Sequence, residues 1–133
     1  MNPTFTYVQT ITNSFPLGDV AISSSHLFVT IDYPTLDLVN YYNYNGIVFQ
    51  FVSSTPSNLQ ISPTPDLSFY TDGINTNTFS LYAYSNGFAS LNFSYTFPTS
   101  TVSLQALNSD ATLLACANSD QKLNLFYQRG CPN

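Results

Sequence analysis

Apolar and polar residues alternate along this chain with a period of two, and no stretch sustains the 3.6-residue period of a helix. In the cleanest run, Leu91–Phe97, the residues Leu91, Phe93, Tyr95 and Phe97 are predicted to share one face. Asn92, Ser94 and Thr96 then take the other face. Leu27, Val29 and Ile31 alternate in the same way with His26, Phe28, Thr30 and Asp32. Val102, Leu104 and Ala106 alternate with Ser103 and Gln105. Further strands are expected over Thr4–Thr12, Leu38–Asn43, Ile47–Val52, Asn58–Ile61, Leu67–Thr71, Phe79–Tyr84, Thr112–Ala117 and Leu123–Gln128. β-Branched and aromatic residues fill these segments, as half-buried pleated surfaces favour.

Turn residues divide the strands. Asn45-Gly46, Asp72-Gly73 and Asn86-Gly87 are hairpin signals, because Asn, Asp and Gly accept positive φ at low cost. Pro34, Pro56, Pro63, Pro65 and Pro98 fall between strands, where the missing N–H matters least. Asn108-Ser109-Asp110 and Asn118-Ser119-Asp120 cut Val102–Gln128 into a three-strand meander. Together these features predict an all-β fold, an antiparallel β-sandwich (jelly-roll-like or Ig-like) of about ten short strands. One domain is expected over residues 1–133. Asn45–Ile61 and Asn86–Leu104 echo each other, each an NG turn, an aromatic strand, a Ser/Thr/Pro loop and another strand. Hairpin chemistry alone accounts for that likeness.

Composition adds a setting. Charged residues make up 7% of the chain, against about 25% in typical globular proteins. The acids are all Asp (Asp19, Asp32, Asp37, Asp66, Asp72, Asp110, Asp120), and the only cations besides the N-terminus are Lys122 and Arg129. A surface of hydroxyls and amides points to an extracellular location: secreted, cell surface or virion exterior. A net charge of −5 without a basic cluster excludes a nucleic-acid partner. No apolar run approaches the ~20 residues that span a bilayer, so no membrane insertion is expected. Met1-Asn2-Pro3-Thr4-Phe5 has neither the basic nor the apolar region of a signal peptide, which suggests a mature form with an added Met or another export route.

Cys116 and Cys131 are the only cysteines and are expected to form a disulfide. Closing that loop is worth about 3 kcal/mol in the chain-entropy picture. Two Cys and one His are too few for a structural zinc site, so no metal and no cofactor are expected. His26 follows three serines, but its strand phase places it on a solvent face rather than in a triad. The Asp residues sit in turns, Asp32 and Asp37 flanking a Pro turn that could bring them together. No pair has the spacing of an acid–base couple, and no enzyme activity is expected.

Three other features invite a binding role. Tyr41, Tyr42, Asn43, Tyr44 and Asn45 form the densest aromatic–amide stretch and are a candidate surface for stacking on sugars. Asn92-Phe93-Ser94 makes Asn92 a candidate glycosylation site. Thr4–Thr12, alternating through Phe5, Tyr7 and Ile11, could pair with its own sheet or be exchanged with a neighbouring subunit.

The stretch from Thr112-Leu113-Leu114-Ala115-Cys116-Ala117-Asn118 through Leu123-Asn124-Leu125-Phe126-Tyr127-Gln128 to Cys131 resembles the end of the β-rich domain of fungal Pir-type cell-wall proteins and their secreted relatives. The resemblance implies an extracellular structural role. The expected function is therefore a non-enzymatic structural or adhesive protein of a cell wall or secreted matrix, its partners copies of itself or cell-wall glycans. A self-assembling subunit of an extracellular filament or viral capsid, with N-terminal strand exchange, is the first alternative. A carbohydrate-binding module is the second.

Overall fold

The computed structural model describes residues 4–128. Among these residues there are eleven strands and no helix, so nothing helical is long and apolar enough to cross a membrane. The strands form three separate antiparallel meanders. The first contains β1 (Leu17–Ile22), β2 (His26–Asp32), β3 (Asp37–Tyr44) and β4 (Phe49–Pro56) in that spatial order. The second contains β5 (Ser62–Pro63), β6 (Phe69–Asp72), β7 (Thr78–Ser85) and β8 (Phe88–Thr96). The third is β9 (Val102–Leu107), β10 (Leu113–Asn118) and β11 (Leu123–Tyr127).

The all-β, antiparallel expectation holds, but a two-sheet sandwich does not describe this arrangement. The second sheet is covered on both faces. Tyr70 and Tyr84 on one face pack with Phe28, Val39 and Tyr41 of the first sheet. Phe79 and Leu81 on the other pack with Val102, Leu114 and Cys116 of the third. The physical reason is visible in β2, where Phe28, Thr30 and Ile31 are fully buried although they lie on opposite faces. What reads as a polar phase (His26, Phe28, Thr30) is the face turned toward the second sheet. His26 accordingly lies not on a solvent face but half-buried at this seam, its Nδ1 2.8 Å from Asn43 Oδ1 and its ring edge-on to Tyr84.

The first strands of the sheets gather on one side. Ile61 N–H, just before β5, donates to Asp19 Oδ2 on β1 at 3.2 Å, and Thr30 Oγ1 donates to the Leu59 carbonyl at 2.6 Å. Gln105 Nε2 on β9 donates to the Gln60 carbonyl at 3.2 Å. The fourth strands, β4 and β8, form the opposite margin of their sheets.

The unit repeats. The first strands begin at Leu17, Ser62 and Val102, steps of 45 and 40 residues. Each four-stranded sheet carries a bulge at the same place, between Tyr41 and Tyr42 in the first and between Leu81 and Tyr82 in the second. The second bulge leaves Asn92 unpaired, so Leu91 registers with Tyr82 and Phe93 with Leu81. The predicted common face of Leu91 and Phe93 is broken at that residue.

Other boundaries also moved. β1 occupies a stretch where no strand was expected, and Asp19 lies on it rather than in a turn. Thr4–Thr12 and Asn58–Ile61 are not strands. Asn86 and Gly87 have φ of 52° and 81°, the positive pair a two-residue hairpin needs. The Asp72-Gly73 signal instead opens a longer loop over residues 73–77.

Candidate interaction surfaces

The aromatic–amide stretch is not a surface. Tyr41 is fully buried, and its hydroxyl lies 2.8 Å from that of Tyr70 across the seam between the first two sheets. Tyr42 is buried on the opposite face with Leu27, Val29 and Ile31. Asn43 is occupied by His26. Asn45 Oδ1 accepts the N–H groups of Ile47 and Val48, both at 2.9 Å, which closes the β3–β4 turn. Tyr44 and Asn45 are exposed, Tyr44 tilted against Phe49 at 5.0 Å. Alternation within β3 required Tyr41 and Tyr42 to face opposite ways, and in this fold both faces are interior.

Cys116 is a free, buried thiol whose Sγ–H donates to Asn118 Oδ1 at 3.4 Å. Burial pushes its pKa up to about 11, so it is an inert packing residue. This corrects the disulfide on the Cys116 side; Cys131 lies outside the described residues. Asn92 is exposed on β8.

The carboxylates divide by environment. Asp32 and Asp37 face each other across the β2–β3 hairpin, as their flanking of Pro34 suggested. Burial, and then the Asp32 charge, push the Asp37 carboxyl up. Asp66 is held down by the Ser68 and Thr64 hydrogen bonds of its turn, and Asp110 by Thr112. Among the described residues no group of three His, Cys, Asp or Glu side chains could hold a metal ion.

Asp72 is different. It ends β6, is buried, and takes a weak hydrogen bond at 3.5 Å from Ser57 Oγ. Desolvation raises its pKa despite the hydrogen bonds from Asn58 and Ser57. A raised folded-state value means that the folded protein holds this proton more tightly than the unfolded chain. Its stabilising contribution is then complete below the unfolded carboxylate range, about 3.9, and is lost as pH rises through the folded value. The melting temperature of the native chain relative to Asp72→Asn should therefore be highest near the acidic end and fall as pH increases. A thermal-melt series across pH checks it, and a difference that grows with pH would contradict it.

Two exposed apolar regions lie on the first two sheets. The first is a margin made by the β3–β4 and β7–β8 hairpins. Ile47, 75% exposed, lies in the β3–β4 turn, and Phe88, 70% exposed, opens β8 just after the β7–β8 turn. The hairpins touch, because Ser53 Oγ donates to the Gly87 carbonyl. A Cβ on Gly87 would meet Val52 Cγ1 at 2.4 Å, so glycine is required here for space as well as for φ. Phe51, Val52 and Leu91 extend this exposed margin.

The second is a groove of about 810 Å³ on the outer face of the first sheet. Val20, Ile22, Leu27, Val29, Tyr42 and Phe49 line it, and residues Val8–Ile11 cross it. Gln9 anchors that crossing: its Oε1 accepts the Phe49 N–H at 2.6 Å and its Nε2 donates to the Phe49 carbonyl at 3.2 Å. Ile11 packs against Leu27, Val29, Ile31 and Tyr42, whereas Phe5 and Tyr7 stand free. Neither the groove nor the hairpin margin is legible from alternation, because each depends on which sheet face another sheet covers.

No family model matches this sequence, and no curated protein does. Solved structures do match. The β-propeller domain of Cps50 (Swd1) from Myceliophteria thermophila superposes with a TM-score of 0.63 at 9% identity, over 85% of this chain and 40% of that one. A chain of the Mitotic Checkpoint Complex superposes with a TM-score of 0.59 at 20% identity, over 84% of this chain and 37% of that one. This chain thus spans about two fifths of the length of these neighbours. The first of these is a β-propeller domain, which overturns the resemblance to Pir-type wall proteins. The extracellular location falls with it, and so do the wall or matrix role, the filament or capsid alternative and the carbohydrate-binding module. The likeness is one of fold: antiparallel meanders, repeated and stacked side by side.

Proposed function

We propose that the chain is a non-catalytic protein-interaction unit built from three β-propeller blades, and that its partners are proteins. The observation that carries the blade reading is the repetition itself. Meanders recur at 45 and 40 residues, the first strands gather on one side, and the middle sheet is covered on both faces. Propeller blades of four strands recur at about 40–45 residues with this geometry. Support for a binding role comes from the neighbour that forms part of the Mitotic Checkpoint Complex, a protein assembly by its name. Support from the chain itself comes from the hairpin margin, where Ile47, Phe51 and Phe88 are more than half exposed. Large apolar side chains clustered on a surface mark protein contacts.

Nothing in the buried chemistry supports catalysis. The raised groups Tyr70 and Cys116 are enclosed in seams between sheets, and Asp72 is buried beside Ser57. Co-purification of the full chain from its own cells, compared with Ile47→Asp/Phe88→Asp, tests the surface. The doubly substituted chain should keep its melting temperature, because both positions are exposed, and lose its co-purifying proteins. An unchanged set of partners would contradict the assignment.

A further inference from the structure

Both hairpins of the exposed margin turn on an Asn-Gly pair, Asn45-Gly46 between β3 and β4 and Asn86-Gly87 between β7 and β8. Such a pair carries a chemistry of its own. The glycine backbone nitrogen can attack the asparagine Cγ, because the chain already holds the two atoms close and glycine has no Cβ to obstruct the approach. The surroundings of the two pairs differ in the groups this attack needs.

At the first turn the amide is activated and the glycine is free. Asn45 Oδ1 accepts the N–H groups of Ile47 and Val48, both at 2.9 Å. Attack at Cγ pushes negative charge onto that same oxygen, so two donors already stand where the charge develops. The Asn45 N–H donates to the Val48 carbonyl at 3.0 Å, which holds the asparagine in place. Gly46 is exposed, has a φ of 95°, and has no atom within 4 Å of where a Cβ would lie. Its nitrogen can swing toward Cγ without moving a neighbour. At the second turn the glycine is pinned. The Gly87 carbonyl accepts Ser53 Oγ, and a Cβ on Gly87 would collide with Val52. Turning Gly87 toward the Asn86 amide would have to displace β4 of the first sheet.

We propose that Asn45 modifies itself in the folded protein, faster than Asn86 does, and that the charge this adds releases partners held at the hairpin margin. The release rests on the margin being the contact surface, as proposed above; the chemistry at Asn45 does not. The Gly46 nitrogen gives its proton to solvent and bonds to Cγ. The Cγ–Nδ2 bond breaks, and Nδ2 takes a proton from solvent and leaves as ammonia. Water then opens the cyclic imide at either carbonyl, one opening giving aspartate and the other isoaspartate. No electrons are exchanged, and water is the only co-reactant. The residues from Tyr44 to Val52 and from Ser85 to Leu91 are all uncharged. A carboxylate at position 45, two residues from Ile47, is therefore the sole charge on either hairpin turn. A partner covering Ile47 and Phe88 would have to bury it with no counter-charge from these segments. An aspartate there still accepts the Ile47 and Val48 N–H groups, so the turn itself survives.

The test uses the full 133-residue chain. Fresh protein is incubated at neutral pH in water enriched in oxygen-18, folded in one arm and in denaturant in the other, and peptide masses read both sites. In denaturant the two sites should react at similar rates. In the folded chain Asn45 should react at least about tenfold faster than Asn86, giving aspartate and isoaspartate that each carry a heavy oxygen. Equal folded rates, a faster Asn86, or a product without isoaspartate overturns the self-modification. Fresh chain, aged chain and Asn45→Asp are then used to recover partners from the protein's own cells. Aged chain and Asn45→Asp should keep the melting temperature of fresh chain and recover several-fold less. Partners kept by Asn45→Asp but lost by Ile47→Asp/Phe88→Asp overturn the release. Partners kept by both overturn the margin reading beneath it, while the rates at Asn45 still decide the chemistry.

Discussion

Phe28→Ala is expected to lower the unfolding free energy by about 3–5 kcal/mol, the range for truncating a fully buried aromatic residue. Phe28 is fully buried in the seam between the first and second sheets, where Tyr41, Tyr70 and Tyr84 surround it. Its ring meets all three at centroid distances of 5.0, 5.6 and 4.7 Å, each edge-on. The cavity left by alanine would be rimmed by the Tyr41 and Tyr70 hydroxyls, which are paired with each other there. Water entering would compete for that bond. Because small domains are stable by about 5–15 kcal/mol, the loss is a large fraction of the whole. Denaturant unfolding measures it directly, and a cost under about 1 kcal/mol would mean that Phe28 is not enclosed.

Phe79→Ala should cost a similar amount, about 3–5 kcal/mol, by emptying a different seam. Phe79 is fully buried on the opposite face of the second sheet, 5.9 Å from Phe126 of β11. Leu114, Cys116 and Val102 complete that cluster. The two substitutions share no partner, so their costs should add to within about 0.5 kcal/mol in the double variant. In a two-sheet sandwich both rings would sit in one core and couple. Amide exchange should separate them as well, with Phe28→Ala loosening β2 and β3 and Phe79→Ala loosening β9 and β10.

Much of this fold was legible from alternation. Nine of the eleven strands fall on or across segments that alternation predicted, and the Asn86-Gly87 hairpin follows from the turn chemistry of two residues. The Val102–Gln128 meander was also legible, because Asn108 and Asp120 cap its turns locally: Asn108 Oδ1 accepts the Leu113 N–H at 2.9 Å and Asp120 Oδ1 the Lys122 N–H at 3.4 Å. What alternation could not show is how many faces of a strand are covered. In β2 the phase with His26 and Thr30 reads as polar, yet Thr30 is fully buried because its hydroxyl reaches the Leu59 carbonyl. Tyr41 and Tyr42 read as a display and are two halves of two cores.

The repeat itself was in view. The echo between Asn45–Ile61 and Asn86–Leu104 aligns the β3–β4 turn with the β7–β8 turn, and it is the period of the sheets rather than a by-product of hairpin chemistry. It was faint because residues at equivalent places differ in identity, as Phe49 and Ala89 do opposite Tyr44 and Tyr84. β1 was missed for another reason: Pro16 and Gly18 read as loop, and a bulge between Leu17 and Val20 breaks its alternation. The site was less legible than the fold. The hairpin margin and the groove exist only once sheets are stacked, whereas Phe5, Tyr7 and Ile11 were marked by their own alternation.

The second sheet is covered on both faces by different sheets, and aromatic nuclear Overhauser contacts on the full chain read this out. Tyr84 should show contacts to Phe28 and Tyr41 and none to Phe126, while Phe79 should show contacts to Phe126 and none to Phe28. Contacts from Phe28 and Phe126 to the same face of the second sheet, or a solvent-exposed Phe79 ring, would contradict it.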